Sequence, residues 1–370
     1  MRGMSKTAKA VLILLIITIA SFAIAGIMLY AQYGENNFAD LADKGFTPSG
    51  AVNVDEEKTH SVAGVNNIYI STISEKINFI KSDSDELKAR FYGSYSSSDS
   101  KYTPEFTLTE SGGDITVKVG YKSHIGPLMF NSDLKLDVYL PAAYAKNLDV
   151  RTVSADIAID EIPSLDVFKG QTVSGSLNAK RIKASRAELA SASGNLSIDG
   201  EFDSIRCNAT SGKITSEGIQ AKTAAFDTAS GDIRVNAAGD DLKLHSNSGK
   251  ITAEQVNAKS CRAETASGGI TLKGNPGKLE AASTSGNISL EYGELSNDIS
   301  VTTASGSTSI KLPENAEFHI TFHTASGTGK SDFPVTVSGT PREKGMDGTV
   351  VSDRNTIKVT STSGNLNISK

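Results

Sequence analysis

The sequence has no tryptophan, and aromatic residues fill only 6% of its 370 positions. Large globular cores usually rely on rings to fill volume, so the two or three ordinary domains that about 150 residues each would suggest are a poor fit. Cysteine is scarce too. Cys207 and Cys261 are too few for a disulfide framework. In the repeat described below they fall about three coils apart, roughly 14 Å at about 4.8 Å per stacked strand, which exceeds disulfide reach. Positive charge is short as well: the formal net charge is −5, and Arg2, Lys6 and Lys9 all precede the first apolar run, leaving the rest of the chain more acidic still. That balance argues against nucleic acid as a partner.

Charge of either sign is absent from Ala10 to Gly34. Such a run exceeds the roughly 20 apolar residues a helix needs to cross a bilayer, so residues 10–33 are expected to form one transmembrane helix. The three cations ahead of it predict that residues 1–9 are cytoplasmic and that everything from Glu35 onward is extracytoplasmic, at the cell membrane. A cleavable signal peptide is the competing expectation, since Ala23-Ile24-Ala25 has the form of a cleavage site. The apolar run continues past Ala25, longer than a usual signal segment. Both readings export the remainder, and without a Cys near the end of the run a lipoprotein anchor is not expected.

What the sequence has in abundance is one short motif. Small residue, Ser, Gly, then alternating apolar residues recur with the marker at Ala155, Gly175, Gly194, Gly212, Gly231, Gly249, Gly268, Gly286, Gly306, Gly327 and Gly364. The spacings run from 18 to 21, and the last is 37. A period of about 19 marks a stack of coils, none of which can bury an apolar face alone.

Register inside the repeat tells which side chains turn inward. Two residues after the marker stand Ile157, Leu177, Leu196, Ile214, Ile233, Ile251, Ile270 and Ile288, and four after it aliphatic residues dominate again. Period two means strand. Three before the marker the residue is Ser or Thr in every copy except Ala209, and one before it is always Ser; such hydroxyl columns are expected to hydrogen-bond along the stack. The marker Gly predicts a corner needing either positive φ or close backbone approach. The position after the marker, with Asn195, Lys213, Asp232, Lys250 and Asn287, reads as a solvated outward face.

The predicted fold is therefore all-β, a β-solenoid (single-stranded β-helix) of about 19-residue coils preceded by one transmembrane helix. Eleven coils at about 4.8 Å each would give a rod of roughly 50 Å. Residues 35–62 read as a polar linker, 65–150 as divergent N-terminal coils forming a cap, 151–327 as the regular repeats, 328–356 as an insertion and 357–370 as the final coil. Within the cap, Glu75 takes the marker place in the segment from Thr72 to Phe79. The segment from Ser111 to Ile115 matches the same register with one residue added.

Two further segments, LKLDVYLPAAYAKNLDVRTVSADIAI from Leu134 to Ile159 and ISVTTASGSTSIKLPENAEFHITFHTASG from Ile299 to Gly327, carry a resemblance. A strand ending in Leu-Pro, a short connection and a strand leading to the Ser-Gly corner is similar to the bacterial "putative adhesin" family of domains of unknown function. The similarity covers roughly residues 65–370. It implies a β-solenoid on or exported to the cell surface, some members being encoded beside envelope-stress regulators, and it implies no catalytic residues.

Enzymes on β-helices need a cleft built by long loops, and the coils from Ala155 to Gly306 are too uniform to contain them. His319 and His323 share one side of a strand, yet stand about 13 Å apart with no carboxylate or Cys nearby to complete a metal set. Asp83-Ser84-Asp85-Glu86 lacks the Gly and terminal Glu of a calcium loop and reads as a solvated turn. No catalytic, cofactor-binding or metal residue is therefore expected, nor any cofactor. The expected function is that of a noncatalytic, membrane-anchored envelope module, adhesin-like or associated with envelope stress, that presents a surface to cell-wall polysaccharide or an envelope protein. Two alternatives stand beside it: a polysaccharide lyase or hydrolase, and a scaffold that self-associates through a solenoid edge, because Lys370 lies two residues past the last core Ile368.

Overall fold

The computed structural model describes residues 50–97, 103–121, 129–337 and 345–370. The expected transmembrane helix at 10–33 and the residues before it lie outside the described residues. Among those described, every regular element is a strand and no helix is long and apolar enough to cross a membrane. The chain, expected as one elongated domain after its anchor, divides into two compact units, Met1–Ser197 and Ile198–Lys370.

In the first unit the strands are β1 (Val52–Ser61), β2 (Asn67–Thr72), β3 (Lys76–Ser82), β4 (Glu86–Ser97), β5 (Pro104–Ser111) and β6 (Asp114–Tyr121). They are followed by β7 (Met129–Pro141), β8 (Asn147–Thr152), β9 (Ile157–Ile159), β10 (Leu165–Thr172) and β11 (Leu177–Ser191). Strands β2, β8 and β10 lead into corners and stack in parallel, while β3, β9 and β11 leave the corners and stack likewise. Ile77, Ile157 and Leu177 fall in one column, which places Glu75 over Ala155 at the marker position. The other side of β2 and β3 is occupied by β6 and β7, also in parallel. The first coil in sequence is thus held between two coils that follow it.

This edge also corrects two expectations. Residues 52–61, assigned to the polar linker, form β1 and pair antiparallel with β4, which pairs antiparallel with β7. Its Lys58 also ties β1 to β5: the ammonium donates to the carbonyl of Phe106 at 2.6 Å and lies 5.0 Å from that ring's centroid. The segment from Ser111 to Ile115 is no coil corner either. It is the turn of the antiparallel β5–β6 hairpin, with Gly112 at φ 63° and Gly113 at φ 84°, the two positive angles that a tight hairpin turn requires.

The second unit holds β12 (Leu196–Ala209, which begins just before the division), β13 (Ile214–Thr228), β14 (Ile233–Ser246), β15 (Ile251–Thr265), β16 (Ile270–Gly274), β17 (Lys278–Ser283) and β18 (Ile288–Glu291). It continues with β19 (Ile299–Thr303), β20 (Thr308–Lys311), β21 (Phe318–Thr324), β22 (Gly329–Ser331), β23 (Met346–Val350), β24 (Thr356–Ser361) and β25 (Leu366–Ser369). Along β13 the alternation of buried and exposed side chains breaks at the exposed pairs Glu217-Gly218 and Lys222-Thr223. The coil therefore turns twice and has three inward arms, which β11 repeats around Lys180-Arg181 and Ser185-Arg186. Arg181 takes a positive φ of 51° at its bend.

The second unit ends out of sequence order, as the first begins. Strand β24 lies between β19 and β21, and β25 between β20 and β22. The coil at 357–370 is consequently interior to its unit, and the edge expected to be left bare by Lys370 does not exist. The antiparallel β23 packs on the far side of β21, so the insertion expected at 328–356 contributes β22 and β23 to the stack. The final spacing of 37 is the length of this detour.

In each unit an aliphatic column supplies the core. Ile157, Leu177, Leu196, Ile214, Ile233, Ile251, Ile270 and Ile288 are each at most 1% exposed, and each contributes about 1.5–3 kcal/mol by burial. Single aromatic rings enter the middle coils, Phe168 and Phe226 both fully buried, and rings pair toward the ends, where Phe91 and Phe106 stand 5.7 Å apart and Phe318 meets Phe333 edge-on at 5.5 Å.

Candidate functional site

Corner chemistry accounts for most of the recurring pattern inside the repeat without any ligand. None of the repeat's marker glycines has positive φ; the requirement is close approach, because a Cβ on each from Gly231 to Gly306 would overlap the carbonyl of the preceding marker. From Gly231 onward the hydroxyl three residues earlier accepts the marker N–H, as Gly249 donates to Ser246 Oγ at 2.8 Å and Gly268 to Thr265 Oγ1 at 3.0 Å, whereas the Thr172 and Ser191 hydroxyls before Gly175 and Gly194 are buried without a partner. Ser246 in turn donates to the carbonyl of Gly231 at 3.1 Å, linking adjacent coils.

The outward position after the marker is more than a solvated face. Asp232 Oδ1 accepts the backbone N–H of Lys250 at 2.8 Å, Asn287 Oδ1 that of Ser307 at 2.9 Å, and Asp156 Oδ1 that of Ser176 at 2.8 Å. An Asp or Asn thus bonds the coil stacked on it, and Lys250 meets Asp232 through a backbone donor rather than a charge.

The sequence-predicted chemistry can be placed residue by residue. His319 and His323 do share a side of β21, but His319 is engaged by β23, with Nε2 3.2 Å from Asp347 and Nδ1 3.1 Å from Thr349 Oγ1. No group of three or more His, Cys, Asp or Glu able to hold a metal occurs among the described residues. The Asp83–Glu86 segment is a turn held by Ser82 and Ser84, whose hydroxyls accept the N–H groups of Ser84 at 3.2 Å and Glu86 at 3.1 Å. Cys207 and Cys261 are free and buried. Burial pushes both thiols up, Cys261 to about 12, which leaves them un-ionised and unreactive. Glu75 is the one carboxylate buried among the described residues. It accepts the N–H groups of Ile73 and Ser74, each at 3.0 Å, and the Tyr121 hydroxyl, so it serves the corner itself.

Sequence reading missed one cluster, on the outward face of β3, β7 and β4 in the first unit. Register aligns Ile80, Tyr139 and Lys88 in one row; Asn78, Asp137 and Arg90 in the next; and Lys76, Lys135 and Tyr92 in a third. Lys88 Nζ lies 4.2 Å from the Tyr139 ring centroid and the Arg90 guanidinium 4.8 Å from that of Tyr92. Between the rings Asn78 donates to Asp137 at 2.8 Å, and Arg90 grips Asp55 of β1 through two bonds of 2.8 and 2.9 Å. The Arg90 hydrogen bond holds Asp55 below the usual carboxylate range. Burial first, then a hydrogen bond to Asp137, pushes the Tyr92 phenol up. No short sequence motif joins these residues, because only the placement of β7 on β3 and β4 on β7 brings them together.

Stacked parallel coils with a repeated, backbone-bonded corner define the class as a β-solenoid. The chain belongs to the Toastrack DUF4097 family, which matches it twice, over residues 65–201 and 199–369. The join between the two matches falls at the division between the two compact units. Among solved structures it is similar to a "putative lipid binding protein" from Parabacteroides distasonis, with 19% identity, 70% of this chain and 97% of that one covered, and a TM-score of 0.43. It is also similar to a "putative adhesin" from Bacteroides fragilis, with 14% identity, coverage of 67% and 100%, and a TM-score of 0.41. No curated protein matches the chain.

Proposed function

We propose that this protein is a noncatalytic, membrane-anchored module of the bacterial cell envelope that binds a wall component or an envelope protein through its outward strand faces. The observation that supports this most is how the coils use their polar groups. Corner hydroxyls and Asx side chains are spent on backbone donors, as at Gly249 and Lys250. Outward charges pair with one another, as Arg262 does with Glu280 at 3.0 Å and Glu264 at 2.6 Å. What is left for function is surface. The anchor rests on the uncharged run from Ala10 to Gly34 and the cations before it.

Both parts are testable in cells producing the full chain. Gly50 is exposed with nothing within 4 Å of an added side-chain carbon, so Gly50→Cys should react with a membrane-impermeant maleimide in intact cells. Both native cysteines are buried and give no background; labelling only after lysis would refute the topology. The same chain, purified in detergent, should be retained by isolated envelope fractions. Hydrolysis of envelope polysaccharide by the pure protein would instead establish an enzyme.

A further inference from the structure

Resting on the surface-binding reading, we propose that the outward face of β3, β7 and β4 is a binding platform for an uncharged polysaccharide. Tyr92 and Tyr139 would stack on sugar rings, while Asn78, Asp137 and Arg90 bond the hydroxyls between them. A pyranose offers an apolar C–H face and a rim of hydroxyls, and an aromatic ring with its negative face complements the first; Lys88 and Arg90 lie over one side of the Tyr139 and Tyr92 rings, and the sugar takes the other. The row between the two tyrosines complements the second, with donors on Asn78 and Arg90 and an acceptor on Asp137 set across strands about 4.8 Å apart. These side chains are already fixed by the Asn78–Asp137 and Arg90–Asp55 bonds, so little rotamer freedom is lost on binding.

Charge complementarity selects the occupant. Three of the four cations in these rows, all but Lys76, already have carboxylate partners: Arg90 has Asp55 at 2.8 Å, Lys88 has Glu57 at 3.5 Å and Lys135 has Asp133 at 3.2 Å. A polyanion would find that positive charge neutralised. The core of a protein interface is depleted in Lys and Asp, whereas these rows carry Lys76, Lys88, Lys135 and Asp137 around their two rings. A neutral, hydroxyl-rich chain suits what remains.

The test is cosedimentation of the detergent-purified full chain with protein-free peptidoglycan sacculi, chitin and dextran, beside poly(glycerol phosphate) immobilised on beads. The expected result is retention on at least one of the three polysaccharides, little changed by salt. The Tyr92→Ala/Tyr139→Ala variant should lose about tenfold in affinity, two stacking contacts' worth, with its melting curve checking that it folds. Tyr92→Phe/Tyr139→Phe should retain most binding, since the ring faces persist. Asp137→Asn, which leaves the rings in place, should weaken binding, and Lys243→Ala in the second unit should not. Equal binding by wild type and the double Ala variant, or preference for the phosphate polymer lost in salt, would overturn the proposal. So would failure to bind all three polysaccharides. If envelope fractions still retain the chain in that case, the surface-binding reading stands and only the ligand class falls; if they do not, both fall. Competition by wall-derived peptides but not by oligosaccharides would assign the face to a peptide and overturn the polysaccharide.

Discussion

A side-chain carbon on Gly249 would overlap the carbonyl oxygen of Gly231, the same corner one coil earlier. Neither glycine is in a left-handed conformation, so the demand is for space between coils. Gly249→Ala should therefore push two coils apart and destabilise the second unit by about 1–3 kcal/mol, the range of an overpacked core. Gly218→Ala, where nothing lies within 4 Å, should be near neutral. Chemical denaturation of both variants checks the contrast, and equal midpoints would refute the close-approach account.

The register predicts a second contrast at adjacent residues. Ile233 is fully buried in the aliphatic column, and Ile233→Asp would place an unpartnered carboxylate there at a cost of several kcal/mol, by the order of about 2–7 for an uncompensated polar group. Asp232→Asn keeps the Oδ1 that accepts the Lys250 N–H at 2.8 Å and should be almost silent. Asp232→Ala removes that acceptor and should cost about 1 kcal/mol. Were Asp232→Ala as silent as Asp232→Asn, the outward position would be a solvated face and nothing more.

These two cases also show how far the sequence could be read. The column of Ile and Leu, the inward register and the stacked coils follow from period two inside a period of about 19, because both are local patterns repeated many times. Strand order at the ends does not follow. Nothing local in the segment from Thr356 to Ser369 says that it lies between β20 and β22 rather than beyond them, since a coil's sequence is compatible with either neighbour. The same holds for the platform on β3, β7 and β4: Tyr92 and Tyr139 come to one face, two rows apart, through an antiparallel pairing that no repeat announces. The three arms per coil were hidden for a different reason, as the breaks at Glu217-Gly218 and Lys222-Thr223 look like ordinary polar interruptions until burial is known.

Glu75 gives a prediction for the corner where Gly is replaced. Glu75→Ala would leave the N–H groups of Ile73 and Ser74 without their acceptor, a loss of about 1–3 kcal/mol for each donor that stays buried. Glu75→Gln keeps one acceptor oxygen and should recover part of that loss. Hydrogen exchange at the amides of Ile73 and Ser74 reports it directly: faster exchange in the Ala variant is expected, and unchanged exchange would show that the carboxylate does not hold this corner.

Acid should act on Asp227 in the sense opposite to its exposed counterparts. Burial raises the Asp227 carboxyl above its ordinary value of 3.8, with His245, 3.7 Å away, lowering it in part. A raised carboxylate pKa means that the folded state binds the proton more tightly than the unfolded state. The penalty for ionising it is absent below the unfolded pKa and grows as pH rises through the folded one. Asp227→Asn should therefore raise the melting temperature at neutral pH, and the gain should vanish well below pH 3.8. For Asp241 the hydrogen bond from Lys243 is the leading cause of a lowered pKa, so its smaller contribution is present at neutral pH and fades as acid protonates it. Melting curves of Asp227→Asn and Asp241→Asn between neutral and strongly acidic pH should diverge in sign, and parallel curves would refute the assignment.

The interior position of the last coil makes its removal a severe change. Deleting residues 356–370 takes away β24 and β25, on which β21 and β22 both depend for parallel pairing, and strips the facing edges of β19 and β20. An end coil peeled from a solenoid should cost little more than its own contacts, as stability in such arrays is nearly a sum over neighbours. Here two interfaces are lost and Phe318 and Phe322, both fully buried, lose the coil that covers them. The truncated chain should be cleaved by a dilute protease from about Leu312 onward, while β13 to β15 stay protected. In the intact chain the amides of Ile357, Val359 and Ile368 should exchange as slowly as those of Ile233 and Ile251. Rapid exchange at the last coil, with the rest protected, would place it at an edge and contradict the strand order.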